Sequence, residues 1–181
     1  MNEKKKHVVL GVTGSIAAYK AADIVRRLQD AEFEVSVVMT SEAARFITPL
    51  TLTSLSGRPV FENMFEKSPD GEMTHIRLAQ DADCLLIAPA TANTIAKLAH
   101  GLANDLLTCV ALATRAPVLI APGMNDVMYG KPVVQDNIKR LRSFGMGFID
   151  PQKGSLACGR YGYGHLAEAE TIVEAVKQAV G

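Results

Sequence analysis

Close to its N-terminus the sequence changes period. Val8-Val9-Leu10-Gly11-Val12 is a continuous, partly β-branched apolar run of the kind that forms a strand covered on both faces. Thr13-Gly14-Ser15 follows. From Ile16 onward the apolar residues Ala17, Ala21, Ile24, Val25 and Leu28 recur at spacings of three and four, with Lys20, Asp23, Arg26 and Arg27 between them. That is the pattern of an amphipathic helix. A buried strand that passes through a glycine turn into such a helix is the opening of a βαβ unit. The next strand then lies parallel to the first.

The alternation continues. Strands are expected at residues 35–39, 84–88 and 118–121, with a weaker one at 146–149. Helices are expected over 41–46, 73–81, 93–112, 133–144 and 167–180. The expected architecture is therefore a single α/β domain over residues 1–181, doubly wound in the Rossmann-like or flavodoxin-like manner. It has a mostly parallel sheet and helices on both faces. The length of 181 residues suits one domain, and Ser68-Pro69-Asp70-Gly71 reads as a turn within it. Nineteen Lys and Arg balance nineteen Asp and Glu, so no basic excess points to nucleic acid or an anionic membrane. A small-molecule ligand is expected. Three cysteines, 84, 109 and 158, are too few for a disulfide framework and suit a reducing, cytoplasmic setting. The basic cluster at residues 4–6 precedes an apolar run broken by Gly11 and Gly14, so neither a signal peptide nor a membrane span is expected.

In a sheet of this kind ligands sit beyond the carboxyl ends of the strands, which directs attention to four loops. Thr13-Gly14-Ser15-Ile16 would present backbone N–H groups and a helix start to an anion, most naturally a phosphate. The spacing is not G-x-G-x-x-G, and a tight structural turn accounts for the glycines equally well. The second strand ends in Met39-Thr40-Ser41, where a dinucleotide-binding domain would carry an acidic residue for the ribose. Small hydroxyls there suit a mononucleotide or a phosphate. Ser41 can also N-cap a helix starting at Glu42. Pro89-Ala90-Thr91-Ala92-Asn93-Thr94 leads into a helix that Thr91 or Asn93 can cap, and its cluster of small polar groups looks like a ligand edge. Pro122-Gly123-Met124-Asn125 sets an amide beside Met124, Met128 and Tyr129, residue types common in cores.

Of the four histidines, His7 reads as a strand-edge residue, His100 as a helix-end cation and His165 as a loop residue. In His75-Ile76-Arg77-Leu78-Ala79, Ile76 and Ala79 can face the core while His75 points away from it. The histidines are too scattered for a metal site, and none is expected. Cys84 and Cys109 read as small buried hydrophobes. Cys158 lies in the glycine-rich stretch 153–164, read as an irregular loop of the kind that covers active sites. Near Lys153 and Arg160 its thiol could act as an acid or a nucleophile, or be an ordinary loop cysteine.

The segments Gly14-Ser-Ile-Ala-Ala-Tyr-Lys20, His75-Ile-x-Leu-Ala79, Pro89-Ala-Thr-Ala-Asn-Thr94, Pro122-Gly-Met-Asn-x-x-Met128 and Ala157-Cys-Gly159 occur in this order. Together they resemble the homo-oligomeric flavin-containing cysteine decarboxylases, the group that includes phosphopantothenoylcysteine decarboxylase. The resemblance implies FMN as cofactor. It also implies decarboxylation of 4′-phosphopantothenoylcysteine to 4′-phosphopantetheine in coenzyme A biosynthesis. The route it implies is flavin oxidation to a thioaldehyde, loss of CO2 and re-reduction of the enethiol. By the same resemblance His75 is the acid/base group, Asn125 binds the carboxylate, and Cys158 on a flap returns a proton. Gly14, Ser15, Ile16, Ser41, Thr91, Ala92, Asn93, Thr94 and Gly123 would hold FMN. Met124, Asn125, Ala157 and Gly159 would contact substrate. Gly123, Tyr129 and Arg160 stand where the family usually has Ala, Trp and Asp.

Family members form trimers, or four trimers, with sites between subunits. Many bacterial forms are fused to the CTP-dependent synthetase that makes the substrate, a module for which a chain ending at Gly181 has no space. A free-standing enzyme or a fragment is expected. Related flavoproteins that decarboxylate a peptide's C-terminal cysteine are the nearest alternative. Non-catalytic FMN-binding regulatory relatives are another, but they lose a catalytic residue and carry acidic tails, whereas His75, Asn125 and Cys158 are all present here.

Overall fold

The computed structural model describes residues 5–65, 71–155 and 161–181. One parallel sheet is built from β1 His7–Val12, β2 Glu34–Met39, β3 Val60–Phe61, β4 Cys84–Ala90, β5 Val118–Pro122 and β6 Gly147–Phe148. The spatial order is β3-β2-β1-β4-β5-β6, with every neighbouring pair parallel. This is the Rossmann order and not the flavodoxin one, so the direction of winding reverses between β1 and β4. A crevice must open there, because the connections leaving the two strands run to opposite sides.

The helices are α1 Ala21–Asp30, α2 Pro49–Ser56, α3 Thr74–Asp81, α4 Ala92–Ala99, α5 Leu106–Ala113, α6 Asp126–Tyr129, α7 Pro132–Ser143 and α8 Ala169–Val180. Strand alternation feeds two cores. Val8, Leu10 and Val12 face a layer formed by α1, α2 and α8, while Val9 faces α3, α4, α5 and α7. Every residue of β1 and β4 is buried, which explains why those strands read as unbroken apolar runs. On α1, Ile24, Val25 and Leu28 are completely buried, each contributing about 1.5–3 kcal/mol of apolar transfer.

Several boundaries differ from expectation for local reasons. The helix expected over 93–112 is two helices. The chain breaks at Gly101, where φ is +67°, and restarts at Asp105, whose side chain forms a reciprocal capping box with Thr108. The helix expected over 41–46 is a single 3-10 turn, Ala43–Arg45, and a further 3-10 turn, Ile16–Lys20, precedes α1. Unforeseen α2 starts with a Thr48 cap and Pro49 and stops at left-handed Gly57. Edge strand β3 spans only two residues, too short to show a period. Within the stretch read as an irregular loop, 153–164, the described residues belong to the arms of an antiparallel hairpin, β7 Gln152–Ser155 and β8 Tyr161–His165. His165 thus sits in a strand. His7 opens a central strand and is buried, its ring joined to Ser36 Oγ and the Asp81 carbonyl. Cys84 is fully buried and its thiol is pushed up to about 12 by burial, whereas Cys109 is only partly buried. Among the described residues no helix is long and apolar enough to cross a membrane.

Candidate functional site

The loops beyond β1, β4 and β5 are tied into one surface by short-range bonds. Thr13 is buried, and its hydroxyl donates to the Pro89 carbonyl (2.6 Å) while accepting from the Thr91 amide (3.0 Å). It stitches the first loop to the second. Ser15 caps the Ile16–Lys20 turn by accepting from Ala17 N–H (3.3 Å). Gly14 is required by packing, since a Cβ there would overlap Glu42 Cβ. Thr91 caps α4 by accepting from Thr94 N–H (3.3 Å), which leaves the start of that helix facing the crevice. From the third loop, Gly123 N–H donates to the Ala90 carbonyl (3.0 Å). Asn125 caps α6, its Oδ1 accepting from Val127 N–H (3.0 Å) and Met128 N–H (3.3 Å). The hairpin closes the surface, as Met124 N–H donates to the carbonyl of Gly164 (3.0 Å). Gly164 has φ +141°, and a side chain there would collide with the Met124 carbonyl.

These loops enclose a cleft of about 500 Å3, within the usual small-molecule range of roughly 300–1,000 Å3. It is lined by Gly14, Ser15, Ile16, Ala17, Tyr19, Lys20, Thr91, Ala92, Gly123, Met124, Asn125, Met128, Gly164, His165 and Leu166. No acidic side chain lines it, and Lys20 carries its one permanent charge among the described residues. Ile16, Met124, Met128 and Leu166 supply apolar wall. Met124 also packs against the core behind the cleft, whereas Met128 is 48% exposed.

Of the residues expected to bind a cofactor, Gly14, Ser15, Ile16, Thr91, Ala92 and Gly123 meet here, as do Met124 and Asn125. Thr94 is buried behind Thr91 and hydrogen-bonded to it (3.1 Å), and Asn93 is exposed outside the lining. Ser41 lines a second cleft of about 380 Å3, together with Thr40, Glu42, Met64, Phe65, Lys97 and Asp105. Its expected capping role falls instead to Thr40, whose hydroxyl accepts from Ala43 N–H (3.3 Å), while Ser41 Oγ donates to Glu42 (3.1 Å). In that second cleft Lys97 and Asp105 form an ion pair at 2.8 Å. Burial alone would raise the Asp105 carboxyl, but hydrogen bonds from Lys97 and Thr108 outweigh it and hold the group below the usual range.

His75 lines neither cleft. On α3 the buried positions are Thr74, Leu78 and Ala79, so Ile76, expected in the core, is 38% exposed. His75 lies half-buried beside Leu78 and Ala79, and its Nδ1 is inaccessible with no hydrogen-bond partner among the described residues. A buried ring nitrogen left so costs about 1–3 kcal/mol. Ala157, Cys158, Gly159 and Arg160 lie outside the described residues. Sequence reasoning missed Thr13, Tyr19, Lys20 and His165. Thr13 and Lys20 stood inside the first turn, but only the fold reveals that the hairpin brings His165 back to it.

A Rossmann-type sheet with a cleft of small, hydroxyl and apolar groups at its switch point defines an α/β protein with a ligand crevice between β1 and β4. The chain belongs to the Flavoprotein family, which it matches over residues 1–181. It is 46% identical over 175 residues to a probable phosphopantothenoylcysteine decarboxylase of Streptococcus mutans, covering 96% of this chain and 98% of that one. It is also 46% identical over 171 residues to the coenzyme A biosynthesis bifunctional protein CoaBC of Haemophilus influenzae. That match covers 94% of this chain but only 43% of that protein. Among solved structures, the FMN-dependent cysteine decarboxylase SpaF superposes with a TM-score of 0.85 at 32% identity, covering 97% of this chain and 98% of that one.

Proposed function

We propose that the protein binds FMN and decarboxylates 4′-phosphopantothenoylcysteine to 4′-phosphopantetheine, a step of coenzyme A biosynthesis. The observation that carries this reading is the 46% identity to the Streptococcus decarboxylase across nearly its whole length. The cleft fits the cofactor. Ser15 and Thr91 with the start of α4 suit the phosphate, Ile16, Met124 and Met128 offer apolar faces to a flat ring, and no carboxylate among the described lining residues repels an anion. When bound, FMN would supply a reversible two-electron acceptor for the substrate carbon that carries the thiol.

Asn125, which lines the cleft and whose Oδ1 accepts from the α6 amides, orients the carboxylate. A neutral amide orients the group without the ion pair that would stabilise it as an anion, so departure as CO2 is not opposed. Apolar walls around Asn125 exclude water from the reacting carbon. His75 moves the proton of the substrate thiol, and Cys158 returns a proton to the product. His75 lines neither described cleft of its own subunit, and in this reading it serves the cleft of a second copy of the chain. By the family resemblance the assembly in this reading is a homo-oligomer, a trimer or four trimers, with sites between subunits. The synthetase that supplies the substrate acts as a separate or fused partner.

Purified protein should be yellow and should release CO2 from 4′-phosphopantothenoylcysteine in preference to a peptide ending in cysteine. His75→Asn should retain flavin and lose CO2 release. Absence of bindable FMN, or preference for the peptide, overturns the reading.

A further inference from the structure

Lys20 closes the turn that follows β1, and its side chain is only 19% exposed. Its Nζ lies 2.9 Å from Nε2 of His165, the last residue of β8, and 3.8 Å from a Glu168 carboxylate oxygen. An ammonium can only donate, so His165 accepts at Nε2 and carries its proton on Nδ1. The ring rests across β7 at Gly154, where a Cβ would lie 3.2 Å from its Cγ. A larger residue opposite would push the imidazole away from the lysine. Lys20 and His165 both line the cleft, whose described lining contains no acid, and Lys20 also borders a neighbouring groove with Asp23 and Glu168. The ammonium thus stands between cleft and groove, with one hydrogen on His165, Glu168 3.8 Å away, and capacity left for a ligand in the cleft.

Resting on the function proposed above, we infer that Lys20, positioned by His165, binds the terminal phosphate of the substrate. The ligand chemistry is a phosphate monoester, which the cofactor also possesses. The placement favours the substrate. Lys20 closes the turn that Ser15 caps and is held at that far end by His165 of β8, whereas the groups suited to the cofactor phosphate, Ser15 and Thr91, stand at the start of the turn and at the β4 loop. A charge-assisted contact of this kind gives the phosphorylated substrate an advantage of about 10–100-fold over its dephosphorylated form.

The test compares kcat/KM for 4′-phosphopantothenoylcysteine and pantothenoylcysteine in the FMN-loaded protein, with flavin stoichiometry and thermal stability measured on each variant. In Lys20→Met the ratio of the two values should fall about 10–100-fold with flavin retained, and Lys20→Arg should restore much of it. His165→Gln, which keeps an acceptor for the ammonium, should hold the ratio better than His165→Leu. An unchanged ratio in Lys20→Met overturns the inference. Loss of flavin from a folded Lys20→Met also overturns it, by assigning the lysine to the cofactor phosphate. Should the wild type hold FMN but decarboxylate neither compound, the functional reading fails instead. Calorimetric titration with inorganic phosphate then decides the subsite: binding lost in Lys20→Met supports it, and binding unaffected refutes it.

Discussion

Replacing Thr13 with valine changes one hydroxyl into a methyl group at nearly constant volume, and the structure states what that hydroxyl does. It donates to the Pro89 carbonyl at 2.6 Å and accepts from the Thr91 amide at 3.0 Å, in a side chain 1% exposed. Valine leaves both backbone groups unpaired. A buried group so orphaned costs about 1–3 kcal/mol, and the partly buried Thr91 amide falls at the low end, so the sum is about 2–4 kcal/mol. For a chain of this size that lowers Tm by about 5–15 °C. Freeing the Thr91 loop also loosens the cap of α4, so FMN affinity should fall with stability. Urea unfolding followed by far-UV circular dichroism at fixed protein concentration measures the first effect, and flavin release on dilution measures the second. Thr13→Ser keeps the oxygen and should remain within about 1 kcal/mol of wild type, since it removes one buried methyl. A Thr13→Val loss below about 0.5 kcal/mol, with an unchanged m-value, would refute the claim that this hydroxyl joins the two loops.

Two further predictions concern the scaffold. Burial holds the His7 imidazole below its ordinary 6.5, aided by nearby Arg58 and opposed by its bond to the Asp81 carbonyl. The unfolded chain therefore takes up the proton first, so this contribution is complete above pH 6.5 and is lost as the pH falls below it. Urea midpoints should decline from pH 7.5 to 5.5 and do so less in His7→Gln; equal slopes would exclude His7 as the cause. Asp105→Ala removes both the α5 cap and the partner of Lys97, for a loss of about 2–3 kcal/mol by urea unfolding. Asp105→Asn, which keeps a capping oxygen, should lose less, and equal losses would locate the effect in the ion pair alone.

Particular residues show which parts of the fold were legible. The β1 run and the α1 period were readable because a strand covered on both faces and a one-sided helix impose opposite patterns on neighbouring residues. Signals for α2, Thr48-Pro49 at its start and Gly57 at its end, were present but short, and β3 offered too few residues for any period. The arms of the β7–β8 hairpin were hidden by glycines, which normally weaken strands but here admit the His165 ring at Gly154 and the Met124 carbonyl at Gly164.

The sequence by itself determined the alternation of strands and helices, hence a parallel sheet with ligand loops at its carboxyl end. It also named most of the residues that meet there. Period, turn chemistry and caps are local, and local information is what a linear pattern carries. The tertiary structure alone decided that the winding reverses between β1 and β4, that Thr13 joins two loops 76 residues apart, and that Lys20 meets His165 across 145 residues. It also separated Ser41 and His75 from the cleft. Strand order and long-range pairing depend on which apolar faces are buried together, and no residue records that choice in its neighbours along the chain.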